Sequence, residues 1–226
     1  MSPISDSLFA FLSELESNNH RDWFNENKDR YHLEVRDPAL ALIEQLEKPL
    51  RKSAPMLRVI AKGRGSSLMR IYRDTRFSKD KTPYKTNVGI SLRHDAQGCI
   101  HAPGVYIHLA NDECFVGAGC WRPERQTLAA IRAAIDADPK TWKRVVKAKA
   151  FRDCYSLAGE SLKTSPRDYA KDHPMIEDLK RIDFIGISPL SRQEVLSKDC
   201  VGVLLTKIRA ARPLMRFLCD AVDIPY

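Results

Sequence analysis

The sequence has no long hydrophobic run, and no stretch reaches the roughly 18 consecutive apolar residues of a transmembrane helix. The first residues, Met-Ser-Pro-Ile-Ser-Asp, lack the basic and apolar regions of a secretory signal peptide. Internal repeats and low-complexity segments are also missing. These absences predict a cytoplasmic protein with no membrane partner.

Motifs that would name a chemistry are missing as well. The six cysteines form no CxxC pair, which in a reducing compartment predicts free and mostly buried thiols. The chain has no Walker P-loop and no GxGxxG, GxSxG or HExxH signature. His94, His101 and His108 are seven residues apart, an odd spacing that alternates faces along strands. The sequence therefore predicts no metal site and no cofactor.

Positive charge is present, and it is concentrated in one segment. The chain carries 37 basic and 29 acidic residues, a net charge of +8. Residues 58–85 hold nine basic and two acidic residues, a net charge of +7, whereas residues 1–57 have a net charge of −3. Such clustering indicates an anionic partner, because the local field raises the concentration of counter-ions around the segment.

Hydrophobic periodicity predicts an α+β fold. Apolar residues at helical spacing dominate residues 1–57, and alternation with a period of two appears at 68–73, 88–93, 105–109 and 114–118. The connections between three of these strands are too short for helical crossovers, which predicts an antiparallel meander of four or more strands. N-terminal and C-terminal helices are expected to pack against this sheet.

The C-terminal part shows further helix signals. Ser191 and Glu194 have the spacing of a capping box, and Pro213 is expected to kink a helix over 201–221. Residues 151–172 are polar and are predicted to be irregular. With no clear linker, the chain is expected to form one domain over 1–226, with a helical part (1–57), a mainly β part with a basic loop (58–120) and a second helical part (121–226).

The segment 70–85 is the strongest candidate for a binding site. Arginine offers a planar fork to phosphate or carboxylate, lysine offers a mobile charge, and Pro83 stiffens the loop. The alternative is a solvated strand edge, where Asp74 and Asp80 pair with neighbouring cations and lysines prevent aggregation. The candidate ligand-binding residues are Arg70, Tyr72, Arg73, Asp74, Arg76, Ser78, Lys79, Lys81, Tyr84 and Lys85, with Arg122 from a later strand-to-helix connection.

Three residues are candidates for a catalytic role, and Asp74 is the best acid/base candidate among them. Asp74 lies among cations that should lower the pKa of its carboxyl group, which suits orienting a donor or holding a metal better than acting as an acid. The alternative for Asp74 is a structural ion pair. His108 lies on a predicted strand beside Tyr106, and His173 precedes a proline, where a helix cap is the alternative.

The N-terminal block 18–31 is a second source of polar groups. Trp23 and Phe24 are expected in the core, and Asn19 is expected to cap the helix that follows it. Arg21, Asn27, Lys28 and Tyr31 are candidates for the same pocket as the central segment. Spacing alone leaves open whether this helix meets the sheet.

These blocks together resemble the domain-of-unknown-function family 2461. The resemblance runs from about residue 8 to about residue 220, and its most specific part is RIYRDTRFSKDKTPYK at 70–85. Other matching blocks are NNHRDWF (18–24), GVYIH (104–108), GAGCWRP (117–123), KDHP (171–174) and PLS (189–191). One departure is Arg167-Asp168-Tyr169, where a glycine is expected before the aromatic residue. The resemblance implies one full-length domain and implies no reaction.

The residues themselves favour recognition, with or without turnover, of a small phosphorylated or otherwise anionic ligand in a basic pocket. The first alternative is a non-enzymatic nucleic-acid-binding module, which the basic-aromatic mixture of 70–85 permits. The second alternative is a scaffold whose basic patch meets an acidic protein. A pocket would favour the small ligand, a groove would favour nucleic acid, and a flat patch would favour a protein.

Overall fold

The computed structural model describes residues 2–62, 65–96 and 102–226. The helices are α1 (Asp6–Ser17), α2 (Arg21–Glu26), α3 (Lys28–Arg30), a π-helical turn (Tyr31–Arg36), α4 (Asp37–Ser53), α5 (Arg125–Ala137), α6 (Pro139–Val146), α7 (Lys149–Arg152), α8 (Ile176–Leu179), α9 (Arg192–Leu196), α10 (Cys200–Ala210) and α11 (Arg212–Ala221). The strands are β1 (Leu57–Arg58), β2 (Asn87–His94), β3 (Gly104–Ala110), β4 (Cys114–Cys120), β5 (Ser156–Ala158) and β6 (Phe184–Leu190).

The six strands form one antiparallel sheet in the order β1-β2-β3-β4-β6-β5. β1 to β4 follow one another as a meander, and β6 returns from the C-terminal half to pair with β4. The predicted α+β class, with an antiparallel sheet and helices from both ends of the chain, is therefore confirmed.

Alternation along the strands gives the sheet two different faces. One face is fully buried and includes Val88, Ile90, Leu92, Val105, Ile107, Leu109, Val116 and Ala118. α4, α10 and α11 contact the central strands β2 and β4. The opposite face carries Asn87, Ser91, Tyr106, His108, Phe115, Ile185 and Ile187, and each of these side chains keeps part of its surface exposed. This second face is therefore only partly covered, as antiparallel sheets allow.

The predicted strand at 68–73 is wrong in its extent. Only Leu68 and Tyr72 take part in isolated bridges, to Ile90 and Tyr84. The chain follows the edge of β2 only as far as the bond from Met69 N to Gly89 O, 2.9 Å, and then leaves the sheet. Residues 71–73 pair instead with residues 83–85. That ladder stays short because Pro83 has no N–H to donate.

The helix signals near the C-terminus are confirmed. Ser191 Oγ accepts a hydrogen bond from Glu194 N at 3.1 Å, and Glu194 Oε2 accepts one from Ser191 N at 2.7 Å. The predicted long helix is divided at Ala211 into α10 and α11, and Pro213 lies in the first turn of α11. The region 151–172 is not wholly irregular, because it supplies β5 at the sheet edge.

Four of the described cysteines agree with the prediction of free and mostly buried thiols. Cys114, Cys200 and Cys219 are buried free thiols, and Cys154 is a half-buried one. Burial raises the pKa of Cys200 to about 11 and that of Cys219 to about 12. Cys99 and His101, both considered in the sequence, lie outside the described residues.

Candidate functional site

Residues 70–85 form a short hairpin, which we call the basic hairpin. Its arms are joined by bonds from Arg73 N to Pro83 O at 2.9 Å and from Lys85 N to Ile71 O at 2.8 Å. Side chains along its first arm alternate as predicted: Arg70 and Tyr72 are exposed, whereas Ile71 is buried. The loop between the arms, 74–82, carries Ser78, Lys79 and Lys81.

Two ion pairs organise this loop. Asp74 accepts hydrogen bonds from Arg76 Nη2 at 2.7 Å and from Arg76 Nε at 3.0 Å, and Asp80 binds Arg73. The side-chain hydrogen bond from Arg76 is the largest cause of the lowered pKa of Asp74, which is about 2. The side-chain hydrogen bond from Arg73 likewise is the largest cause of the lowered pKa of Asp80, also about 2. The pKa of Asp74 is therefore lowered, as predicted. Its carboxylate also forms an ion pair with Arg76, which was the structural alternative to a catalytic role.

The remaining cations of the hairpin form no ion pair with the described residues. Among the described residues, Arg70, Lys79, Lys81 and Lys85 form no ion pair, although the other two arginines of the hairpin each form one. Lys81 Nζ donates to Thr75 O at 2.8 Å, and Lys85 Nζ donates to Arg70 O at 3.1 Å. Burial and the nearby Arg70 charge lower the pKa of Lys85. Arg70 and Lys85 are thus neighbouring cations that form no ion pair with the described residues, although the charge of Arg70, after that of Arg76, helps to lower the pKa of Asp74.

The N-terminal block contacts the basic hairpin directly. Asn19 Nδ2 donates to Tyr84 O at 3.0 Å, and Tyr84 N donates to Asn19 Oδ1 at 3.0 Å. The side-chain amide of Asn19 therefore completes the outer edge of the hairpin, as a neighbouring strand would. The predicted capping role of Asn19 is wrong, because the N-cap of α2 is His20, whose Nδ1 accepts from Trp23 N at 3.4 Å.

An aromatic cluster fixes this contact. Phe24 stacks on Tyr84 with ring centroids 4.1 Å apart, and its centroid lies 5.3 Å from that of Tyr31. The Tyr72 ring lies 5.5 Å from Tyr84. Of the N-terminal candidates, Tyr31 therefore packs on Phe24, the residue that contacts the hairpin. Asn27 instead bonds to Trp23 O and to Arg30 within its own helical segment.

A cleft of about 320 Å³ lies between the end of α1, the basic hairpin and the start of β2. It is lined by Glu16, Asn19, Arg73, Asp80, Thr82, Tyr84, Lys85, Thr86 and Asn87. Its volume is at the lower end of the range for small-molecule sites. Because Asp80 already pairs with Arg73, Lys85 and Glu16 are the ionised groups of the lining that have no partner within it.

Asn87 connects the cleft to the partly covered face of the sheet. Asn87 Nδ2 lies 3.3 Å from Tyr106 Oη and 3.4 Å from His108 Nδ1, and Tyr106 Oη lies 3.2 Å from His108 Nδ1. We call these three residues the polar triangle. The candidate His108 is therefore next to the cleft, whereas Asn87 was missed, because an uncharged residue at a strand end carries no signal in the sequence.

Two predicted site residues lie elsewhere. β4 begins near the cleft, because its first residue, Cys114, aligns with Leu109. Arg122 follows the other end of β4 and is therefore roughly 20 Å from the cleft. Its guanidinium lies 5.0 Å from the Trp121 ring. His173 Nε2 lies 3.0 Å from Asp136 Oδ1, and Met175 N donates to His173 Nδ1 at 3.0 Å, so both ring nitrogens are engaged.

Two further kinds of site have no candidate among the described residues. No group of three or more His, Cys, Asp or Glu side chains in the described parts of the chain is arranged to hold a metal ion. No helix in those parts is both long and apolar enough to cross a bilayer.

The fold and site define an α+β protein with one partly covered sheet face and a basic hairpin at its edge. The sequence matches, over residues 7–217, the model of the family described as "Conserved hypothetical protein (DUF2461)". The chain belongs to this family, as its resemblance predicted. Neither the curated proteins nor the solved structures contain a match to the chain.

Proposed function

We propose that the protein binds a small phosphorylated or otherwise anionic ligand at Lys85 in the lining of the cleft, with Arg70 next to Lys85 but outside that lining. The observation that carries the proposal is that two neighbouring cations, Arg70 and Lys85, form no ion pair with the described residues. Burial first, and repulsion from the nearby Arg70 charge second, disfavour the charged form of Lys85 and lower its pKa. An anion placed between them would remove this repulsion.

The neighbouring groups suit such a ligand. Lys85 Nζ uses one hydrogen for Arg70 O and retains others for a ligand, since an ammonium has three. The Arg70 guanidinium is exposed and offers a planar fork that matches a phosphate or carboxylate. Thr86 and Asn87 add uncharged donors to the same lining.

The test is a calorimetric titration of the protein with inorganic phosphate. We expect Arg70→Ala with Lys85→Ala to weaken binding at least about tenfold, because each cation contributes a charge-assisted hydrogen bond. The matched control is Lys163→Ala with Arg167→Ala, which removes the same charge from two exposed residues and should bind as the wild type does. Equal affinity in the two double variants would contradict the proposal.

The pH dependence gives a second prediction. The ligand favours the charged form of Lys85, so its affinity should fall as the pH rises through the lowered pKa of this lysine. Titrations between about pH 8 and pH 10 keep the charge of the phosphate nearly constant, because phosphate is already a dianion there. Lys85→Arg stays protonated and should flatten the decline. A decline of the same size in Lys85→Arg would show that another group is responsible.

One observation favours a second function, binding of single-stranded nucleic acid. Phe77 at the tip of the basic hairpin is 95% exposed, Tyr72 is 53% exposed, and the Arg76 guanidinium lies 5.8 Å from the Phe77 ring. Exposed aromatic rings among cations serve as stacking platforms for bases. A short oligonucleotide that binds with steep salt dependence, and is lost in Phe77→Ala, would favour this function. If neither phosphate nor oligonucleotide binds, the scaffold for an acidic protein is favoured.

A further inference from the structure

We propose that the polar triangle is a second subsite, which receives the planar ring of a ligand whose anionic group is held by Arg70 and Lys85. This inference rests on the proposed function and deepens it, because it makes the ligand a nucleotide. The two subsites are continuous, since Asn87 belongs both to the cleft lining and to the triangle.

The triangle has hydrogen-bonding capacity that the protein does not use. His108 Nδ1 is approached by Asn87 Nδ2, a donor, so this nitrogen accepts and the neutral ring carries its hydrogen on Nε2. The described residues provide no hydrogen-bond partner for Nε2. Burial lowers the pKa of His108, which keeps the ring neutral near pH 7. The triangle therefore presents an unused N–H from His108 together with the Oδ1 of Asn87.

The three side chains are also held in place before any ligand arrives. A Cβ on Gly89 would lie 2.7 Å from Tyr106 Oη, so glycine is what lets the tyrosine lie over β2 and reach the triangle. The His108 ring stacks on Phe115 with centroids 4.8 Å apart and planes 6° apart. Fixing the rings in this way reduces the entropy lost on binding.

The spacing and chemistry agree with a nucleotide. Lys85 and Asn87 both line the cleft and are separated by Thr86 alone, so a phosphate at Lys85 and a base at Asn87 would belong to one small ligand. An asparagine amide beside ring donors suits the edge of a nucleobase. The partly exposed aromatic ring of Tyr106 suits its flat face. A sugar phosphate would use the cation pair and leave the ring subsite empty.

The test compares adenosine monophosphate, ribose 5-phosphate and inorganic phosphate by calorimetric titration. For the wild type we expect adenosine monophosphate to bind about tenfold more tightly than either of the others. The informative variant is His108→Phe, which keeps a ring on Phe115 and removes both nitrogens. It should lose most of the preference for adenosine monophosphate and keep the wild-type affinity for phosphate.

The outcomes separate this inference from the proposed function. Phosphate binding that depends on Arg70 and Lys85, without a preference for adenosine monophosphate over ribose 5-phosphate, overturns the ring subsite alone. A preference that survives in His108→Phe, with the thermal unfolding of the variant unchanged, also overturns it. If neither phosphate nor adenosine monophosphate binds the wild type, the proposed function and the subsite both fall.

Discussion

Gly119→Ala should lower the free energy of unfolding by about 3 kcal/mol or more. Gly119 has a φ of +129°, and a Cβ at this position would lie 2.1 Å from Phe184 O and 3.0 Å from Ile185 Cα. Both of these atoms belong to the backbone of β6, which pairs with β4 at this point. Because no side-chain rotation can relieve the clash, the β4–β6 pairing itself would have to shift.

Gly65→Ala is the matched control for this substitution. Gly65 also has a positive φ, +80°, but a Cβ there would meet no atom within 4 Å. Its replacement should cost only about 1–2 kcal/mol, the conformational penalty of a left-handed residue with a side chain. Urea unfolding of the two variants separates the clash from this penalty. Equal losses would show that the contact with β6 does not restrict position 119.

The sheet was predictable because its signals are local. The segments 88–93, 105–109 and 114–118 alternate with a period of two and are joined by short connections, so nearest neighbours in the chain pair in space. Residues 68–73 alternate in the same way, yet they leave the sheet. Alternation of apolar and polar residues indicates only that successive side chains face two different environments. A hairpin outside the sheet also provides two such environments.

The candidate site was predictable only in part. Clustered charge indicates residues 70–85, but not which cations form ion pairs. Arg73 and Arg76 pair with carboxylates, whereas Arg70 and Lys85 pair with none in the described parts of the chain. The Asn19 contact with Tyr84 joins residues 65 positions apart, for which the sequence has no signal. The polar triangle likewise depends on the register of β2 and β3, which brings Asn87 near His108. The roles of all these residues in binding stay predictions.

The last prediction concerns Asp183, which lies near Gly119 and far from the cleft. Asp183 is 1% exposed, and its carboxylate accepts hydrogen bonds from Arg122 N at 2.7 Å and from Glu160 N at 2.8 Å. Arg122 has a φ of +46°, so the bond to Asp183 holds an unfavourable backbone conformation in place. Asp183→Ala would leave two backbone N–H groups without an acceptor, at a cost of about 3–5 kcal/mol.

Asp183→Asn separates the contributions of the two bonds, because an amide retains one oxygen acceptor and turns an NH₂ group towards the other N–H. We expect its loss of stability in urea unfolding to lie between those of the wild type and Asp183→Ala. Its affinity for phosphate should equal that of the wild type, since Arg122 lies at the opposite end of β4 from Arg70 and Lys85. Weakened phosphate binding in folded Asp183→Asn would instead connect Arg122 to the anion site, as the sequence first suggested.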